Sequence, residues 1–251
     1  MSSSTTNEPI ELVVVYDNNP GDDRLHTAWG FACVVRLGCN TILFDTGGDS
    51  PNLLHNMLQL AIDPGEIDAV FFSYIDGDHT GGLAGFLEKN SDVIVYLPQS
   101  FPPDFKQEIA SAGAEVVEID RARELIPGVY TTGELGREIK EQSLVLKTAD
   151  GLVVITGCAH PGIVDIISRA KEVVPGTGVS LAIGGFHLVW SSASEIQPVI
   201  DGFKRLGVAR TAPCHCSGDE ARQMFQQSYG DAYLKVGVGT KIKLPGLATG
   251  K

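Results

Sequence analysis

The sequence predicts a single α/β domain, and three observations carry that expectation. Apolar runs of strand length alternate with segments of helical spacing from one end of the chain to the other. No Pro- or Ser-rich linker and no low-complexity segment divides residues 1–251, a length sufficient for one sizeable core. Many of the strands also end alike, because the apolar run stops and the next residues are Asp or His beside Gly or another small residue.

Taken in order, Ile10 to Tyr16 is Val-rich and reads as a strand, followed by a polar loop from Asp17 to Asp23. Gly30 to Leu37 and Thr41 to Phe44 read as a strand pair turned at Gly38-Cys39-Asn40. Pro51 to Leu60 has helical spacing, with Leu53, Leu54, Met57 and Leu58 apolar. Ile67 to Ser73 reads as a buried strand, Thr80 to Lys89 as a helix and Val93 to Leu97 as a strand. A helix from Pro103 to Ala112 and a strand from Glu115 to Glu118 complete the first half.

The second half repeats the pattern. Strands are expected at Gly128 to Thr132, Gln142 to Thr148 and Leu152 to Thr156, with Asp150-Gly151 as a hairpin signal. Helices are expected at Ile163 to Val173, Ala193 to Leu206 and Asp219 to Tyr229. Strands are expected at Val179 to Ile183, Ala209 to Pro213 and Val236 to Leu244. Each half runs strand, hairpin, strand and then Thr-Gly (Thr46-Gly47 and Thr156-Gly157), which hints at an internal duplication.

Composition narrows the function classes. Hydrophobic residues make up 43% and charged residues 20%, the balance of a globular protein rather than a disordered one. A net charge of −12 disfavours phosphate backbones and anionic membranes, so neither nucleic acid nor membrane is an expected partner. The opening Met1 to Pro9 has no basic region and no apolar run, so no signal peptide is expected, and the cytoplasm is the expected compartment. A small-molecule substrate is the expected partner, and composition is silent on oligomeric state. The cysteines are Cys33, Cys39, Cys158, Cys214 and Cys216, an odd set with no disulfide framework. Cys214-His215-Cys216 admits a thiolate metal reading but lacks a C-x-x-C partner. The plainer reading is small buried residues beside a useful histidine.

The chemistry gathers at five strand ends. Ile42 to Phe44 leads to Asp45-Thr-Gly-Gly48, and Ala69 to Phe72 leads to Ser73-Tyr-Ile-Asp-Gly-Asp-His79. Val153 to Thr156 leads to Gly157-Cys-Ala-His160, Ser180 to Ile183 to Gly184-Gly-Phe-His187, and Arg210 to Pro213 to Cys214-His-Cys-Ser-Gly218. Ligand sites in α/β sheets lie at strand ends, and imidazoles converging with carboxylates compose a transition-metal site. Singly, each residue has a plain alternative: a hydrogen-bonded structural histidine, or an Asp that caps or turns the chain. Asp76-Gly-Asp78 lacks the further ligands of a calcium loop.

These motifs resemble the metallo-β-lactamase superfamily. Its diagnostic Ser-His-x-His-x-Asp-His-x-Gly-Gly stands here as Ser73-Tyr-Ile-Asp-Gly-Asp-His-Thr-Gly-Gly82. Leu43 to Gly47, Gly157 to Ile163, Gly184 to Leu188 and His215 to Gly218 resemble its other motifs. With Glu141-Gln142, they are most similar to the branch named for dihydropteridine-ribofuranosylaminobenzene phosphate synthase. The resemblance implies an αββα four-layer sandwich holding one or two divalent ions, zinc foremost and iron or manganese as alternatives. It places one ion on Asp78, His79 and His215. A second would take the positions held here by Tyr74, Asp76 and His160, where two imidazoles have been lost.

Asp76 retains an oxygen that can ligate zinc, whereas Tyr74 is a poorer donor whose readings are ligand, substrate contact or structural residue. His187 is a candidate substrate or supporting group, and Asp45 a candidate hydrogen-bond partner of a ligating imidazole. The leading expectation is a hydrolase using metal-activated water, with Asp78 also orienting that water. The alternatives are the branch's synthase-like transfer, for which Lys147 and Arg210 are the basic candidates, and a degenerate non-catalytic binding protein. The loop Asp17 to Trp29 and the region Ile119 to Leu135 are expected to shape the pocket.

Overall fold

A computed structural model of the protein describes residues 8–248. Of the opening Met1 to Pro9, where no signal peptide is expected, residues 1–7 lie outside them. Two sheets form, and alternation of inward and outward side chains decides what each face meets. The first sheet contains β1 (Ile10–Asp17), β2 (Phe31–Leu37), β3 (Asn40–Phe44), β4 (Ala69–Phe71), β5 (Ile94–Pro98) and β6 (Glu115–Ile119). The second contains β7 (Arg121–Ile126), β8 (Val129–Gly133), β9 (Leu144–Thr148), β10 (Gly151–Thr156), β11 (Val179–Gly185) and β12 (Thr211–Cys214). The last strand, β13 (Lys241–Leu244), returns to the first sheet and pairs with β1, giving the order β13-β1-β2-β3-β4-β5-β6 beside β12-β11-β10-β9-β8-β7.

The inner faces meet in one apolar layer: Leu12, Val14, Phe44 and Phe71 from the first sheet pack with Leu146, Val153, Ile155 and Ile183 from the second. The outer faces are covered by helices. Val13, Val15 and Val70 lie under Leu53 and Met57 of α1 (Ser50–Gln59), Phe86 of α3 (Leu83–Leu87) and Ile109 of α4 (Pro103–Ser111). Val154 and Ala182 lie under Ile167 of α5 (Ile163–Val173), Phe203 of α6 (Ala193–Leu206) and Phe225 of α7 (Asp219–Tyr229). A short α2 (Gly77–Thr80) precedes α3 at the sheet edge. Burial on both faces explains why the central strands read as continuous apolar runs without alternation. The four layers are the expected αββα sandwich.

The hint of duplication has a topological counterpart. β2 and β3 pair antiparallel, then β4 and β5 add in parallel, while β9 and β10 pair antiparallel, then β11 and β12 add in parallel. Three expectations shift. The helix expected at Thr80 to Lys89 divides into α2 and α3 at Gly81-Gly82, because that chain presses on residues 46–48. A Cβ on Gly82 would stand 2.1 Å from the Thr46 carbonyl oxygen. The expected strand from Val236 shortens to Lys241–Leu244, since Val238 and Gly239 bond to Asn19 and Val14 as a loop. Residues 121–126 form an additional edge strand, whose Arg121, Arg123 and Glu124 present charges on an exposed flank.

Candidate metal centre

The parallel strands deliver their C-terminal ends to one edge, and the chain turns sharply there. Of the five non-glycine residues with positive φ among the described residues, four stand at this edge: Asp45 (53°), Ala159 (64°), His187 (54°) and His215 (46°). Such backbone is costly for a residue with a side chain and is found where the surroundings over-determine it. Gly157 supplies a close approach, since a Cβ there would stand 2.2 Å from Ser73 Oγ and 3.1 Å from Asp45 Oδ2.

Asp45 ends β3 fully buried. It accepts hydrogen bonds from Ser73 N (2.7 Å), Ser73 Oγ (2.6 Å) and His79 Nδ1 (2.7 Å). The His79 backbone is tied in turn, its carbonyl accepting from Thr46 N at 2.7 Å and Thr46 Oγ1 at 3.0 Å. His215 follows β12, and its Nδ1 donates to Asn18 Oδ1 at 3.0 Å while its N–H meets Asp17 Oδ2 at 3.3 Å. Both imidazoles therefore carry their proton on Nδ1, leaving Nε2 bare. Burial pushes the His79 imidazole down, but the Asp45 carboxylate outweighs it and the net shift is well upward. Burial raises Asp45 as well, so the ion-free pair holds its protons tightly, and an ion at His79 Nε2 would have to displace one.

The two bare nitrogens face each other, with Nε2 to Nε2 at 3.3 Å. Asp78 Oδ2 lies 3.4 Å from His215 Nε2 and 3.6 Å from His79 Nε2. Two lone pairs and a carboxylate aimed at one point repel one another unless a cation or proton lies between them. A tetrahedral zinc with bonds of about 2.0–2.2 Å to nitrogen and oxygen spaces its ligands by about 3.3–3.6 Å. The three observed separations match, so these residues fit a divalent ion. The Asp78 side chain is 22% exposed while both imidazoles are fully buried, which makes the Asp78 side the open one. The Trp29 ring lies beside His215, with centroids 5.0 Å apart.

The remaining sequence-predicted residues are placed differently. Asp76 is exposed at the start of α2, outside the converging donors. His160 donates from Nδ1 to Glu141 Oε2 at 3.0 Å, and its ring packs against Tyr74 (4.7 Å) and His187 (4.4 Å) rather than joining Asp78, His79 and His215. Tyr74 is buried between His79 and His160; burial first, then Cys158, Asp78 and Glu141, hold it as a neutral phenol. His187 borders a cavity of about 740 Å³ with His160, Leu135, Gly136, Arg137 and Ile139. Burial, then the neighbouring His160, lower the His187 pKa below 6.5, so it is neutral at pH 7.

Two residues have roles that the sequence does not reveal. Glu141 is fully buried and accepts five hydrogen bonds, from Thr156 Oγ1, the N–H groups of Cys158, Ala159 and His160, and His160 Nδ1. Three successive N–H groups around Ala159 form a nest for its carboxylate. Burial alone would raise its pKa, but His160 and these N–H groups prevail and lower it. Cys158 brings its Sγ to within 3.4 Å of His79 Nε2 and 3.3 Å of His215 Nε2. Lys147 and Arg210 lie at the opposite ends of their strands from the site, as their pairing with Leu152 and Ser180 shows. The loop after β1 reaches the centre through Asn18 and Trp29. Residues 119–135 chiefly build the β7–β8 hairpin, and the segment after them lines the cavity.

The metallo-beta-lactamase superfamily profile matches residues 30–176, and the chain belongs to this superfamily. A Methanocaldococcus jannaschii protein named 7,8-dihydropterin-6-methyl-4-(beta-D-ribofuranosyl)-aminobenzene-5'-phosphate synthase is 29% identical, covering 80% of this chain and 84% of its own length. An uncharacterized protein of the same organism, MJ0448, is 25% identical over 90% of this chain and 98% of its own. The crystal structure of Tm1679, described as a metal-dependent hydrolase of the beta-lactamase superfamily, superposes with a TM-score of 0.78 at 27% identity. It covers 94% of this chain and 99% of that one. Superfamily membership implies divalent metal binding, for which Asp78, His79 and His215 form a candidate site. Among the described residues no helix is long and apolar enough to cross a membrane.

Proposed function

We propose that the chain is a metal-dependent hydrolase acting on a small-molecule ester, amide or phosphoester in the cytoplasm. The observation that carries this reading is the set of three donor atoms at tetrahedral spacing, with both imidazoles locked by Asp45 and Asn18. Asp78, His79 and His215 would hold the ion, and zinc suits this donor set best. A divalent ion held there supplies Lewis acidity toward a carbonyl or phosphoryl oxygen and toward water. The residues do the rest. Asp45 and Asn18 prevent either imidazole from turning, and Trp29 packs beside the His215 ring. Asp78, the one partly exposed carboxylate of the set, would also orient water there. His160 and neutral His187 face the adjoining cavity and meet the substrate. Purified protein is expected to carry about one equivalent of zinc, manganese or iron and to hydrolyse members of an ester and phosphoester panel. Absence of metal after reconstitution would overturn the reading.

A second reading, synthase-like group transfer, draws on the name of the archaeal relative and on Arg137 at the cavity rim. A guanidinium beside two histidines suits a phosphate. Incubation with a 7,8-dihydropterin-6-methyl diphosphate and a ribofuranosylaminobenzene 5′-phosphate separates the two: a joined product with release of diphosphate supports transfer, and hydrolysis of the diphosphate alone supports a hydrolase.

A further inference from the structure

We propose that Cys158 is the fourth ligand of this metal centre, so that the ion is held by a carboxylate, two imidazoles and one thiolate. The proposal rests on the reading that Asp78, His79 and His215 bind an ion. The donor atoms of Asp78, His79, Cys158 and His215 all lie within 4.8 Å of one another. Cys158 Sγ is almost equidistant from the two bare nitrogens, at 3.4 and 3.3 Å. In a tetrahedral zinc site, bonds of about 2.3 Å to sulfur and 2.0–2.1 Å to nitrogen space these atoms by about 3.6 Å. The sulfur thus needs to retreat by only a few tenths of an ångström to take the fourth vertex, and water or a substrate oxygen would then enter as a fifth ligand on the exposed Asp78 side.

The surroundings hold it there. The Cys158 N–H is bonded to Glu141 Oε1 at 3.0 Å, and the left-handed turn at Ala159 directs the following chain away from the centre. Its side chain is buried with Tyr74 and Cys216. The Cys216 thiol is directed to the Cys158 carbonyl oxygen at 3.6 Å, leaving Cys158 Sγ as the sulfur turned toward both imidazoles. The His160 ring, which the resemblance places in a metal set, packs on Tyr74 and His187, and its nitrogens lie outside the group of converging donors. The end of β10 therefore offers sulfur two residues before the imidazole. One thiolate and one carboxylate neutralise a divalent ion, and the soft donor selects zinc over manganese.

The test uses the full-length protein loaded with zinc and, separately, with cobalt(II). X-ray absorption at the zinc edge is expected to show one sulfur at about 2.3 Å beside nitrogen and oxygen neighbours at about 2.0–2.2 Å. The cobalt form is expected to show a thiolate-to-metal charge-transfer band. C158S is expected to lose both signatures and to bind metal at least about 10–100-fold more weakly, the range that loss of an outer-shell partner already costs. C216S is expected to keep both. One equivalent of metal with only nitrogen and oxygen neighbours in the unmodified protein would overturn the thiolate while leaving the metal centre standing. So would loss of the sulfur signal in C216S rather than C158S. A protein that retains no metal at all would overturn the hydrolase reading together with this one.

Discussion

In the first half of the chain His79 donates its Nδ1 proton to the buried Asp45; in the second half His160 donates its own to the buried Glu141. The distances are similar, 2.7 and 3.0 Å, and both carboxylates lie beyond the reach of water. The difference is in what else each carboxylate holds. Asp45 binds a side chain and one backbone N–H on a neighbouring strand end, and so fixes an imidazole whose Nε2 points into the cluster. Glu141 binds three consecutive N–H groups of the turn that carries His160. It organises a loop more than a ring, and the loop turns Cys158 rather than His160 toward His79 and His215. A histidine–carboxylate pair is thus insufficient evidence of a metal ligand; the direction of the second nitrogen decides.

Removing each imidazole in turn puts this contrast under the greatest load. H79A is expected to abolish metal retention, whereas H160A is expected to keep about one equivalent while losing turnover, read by elemental analysis and a hydrolysis assay. Loss of metal in H160A would restore the two histidines to equivalent roles. Next in size is the carboxylate of the second pair. E141A leaves three backbone N–H groups, two of them buried, without an acceptor and should cost about 3–5 kcal/mol in denaturant unfolding.

D45N is expected to leave the protein folded but weaken metal binding by about 10–100-fold, measured by competition with a chromophoric chelator. The pH dependence follows Glu141. Its folded-state pKa is below 4.5, so the unfolded chain binds the proton more readily. The stability it contributes is complete above pH 4.5 and is lost as pH falls through the lower folded value. E141Q should remove that slope from the acid limb. The smallest effect belongs to Arg137 at the cavity rim. R137A should change stability by no more than about 0.5 kcal/mol while raising KM for a phosphorylated substrate more than for a neutral ester.

Much of the molecule is legible in its sequence because two-sided burial writes itself into strands such as Val153 to Thr156, and helix–strand alternation follows from it. Asp78, His79 and His215 are legible because their neighbours are constrained too: Gly81 and Gly82 press on the 46–48 loop, and His215 needs a sharp turn after β12. β7 is not, because an edge strand carrying Arg121, Arg123 and Glu124 loses the apolar pattern that identifies a strand. Glu141 stands beside Gln142 with no sign of its role, since its partners lie 15 to 19 residues further along the chain. Cys158 reads as a small buried residue because a thiol and a filler look alike until the fold brings two imidazoles to it.

The cluster also joins parts of the chain that are far apart in sequence. His79 and His215 are separated by 136 residues, one belonging to each sheet's run of strands. An ion shared between them would act as a reversible cross-link, closing a loop that the unfolded chain leaves open. A permanent link around a loop of about 100 residues is worth about 4.7 kcal/mol in unfolded-state entropy. A metal link stabilises by RT ln(1 + c/Kd) at free-ion concentration c, so its effect vanishes well below Kd and grows with the logarithm of c above it. The lifetime of the folded protein would then follow the cell's supply of the ion, so that starvation for metal and susceptibility to proteolysis become a single variable.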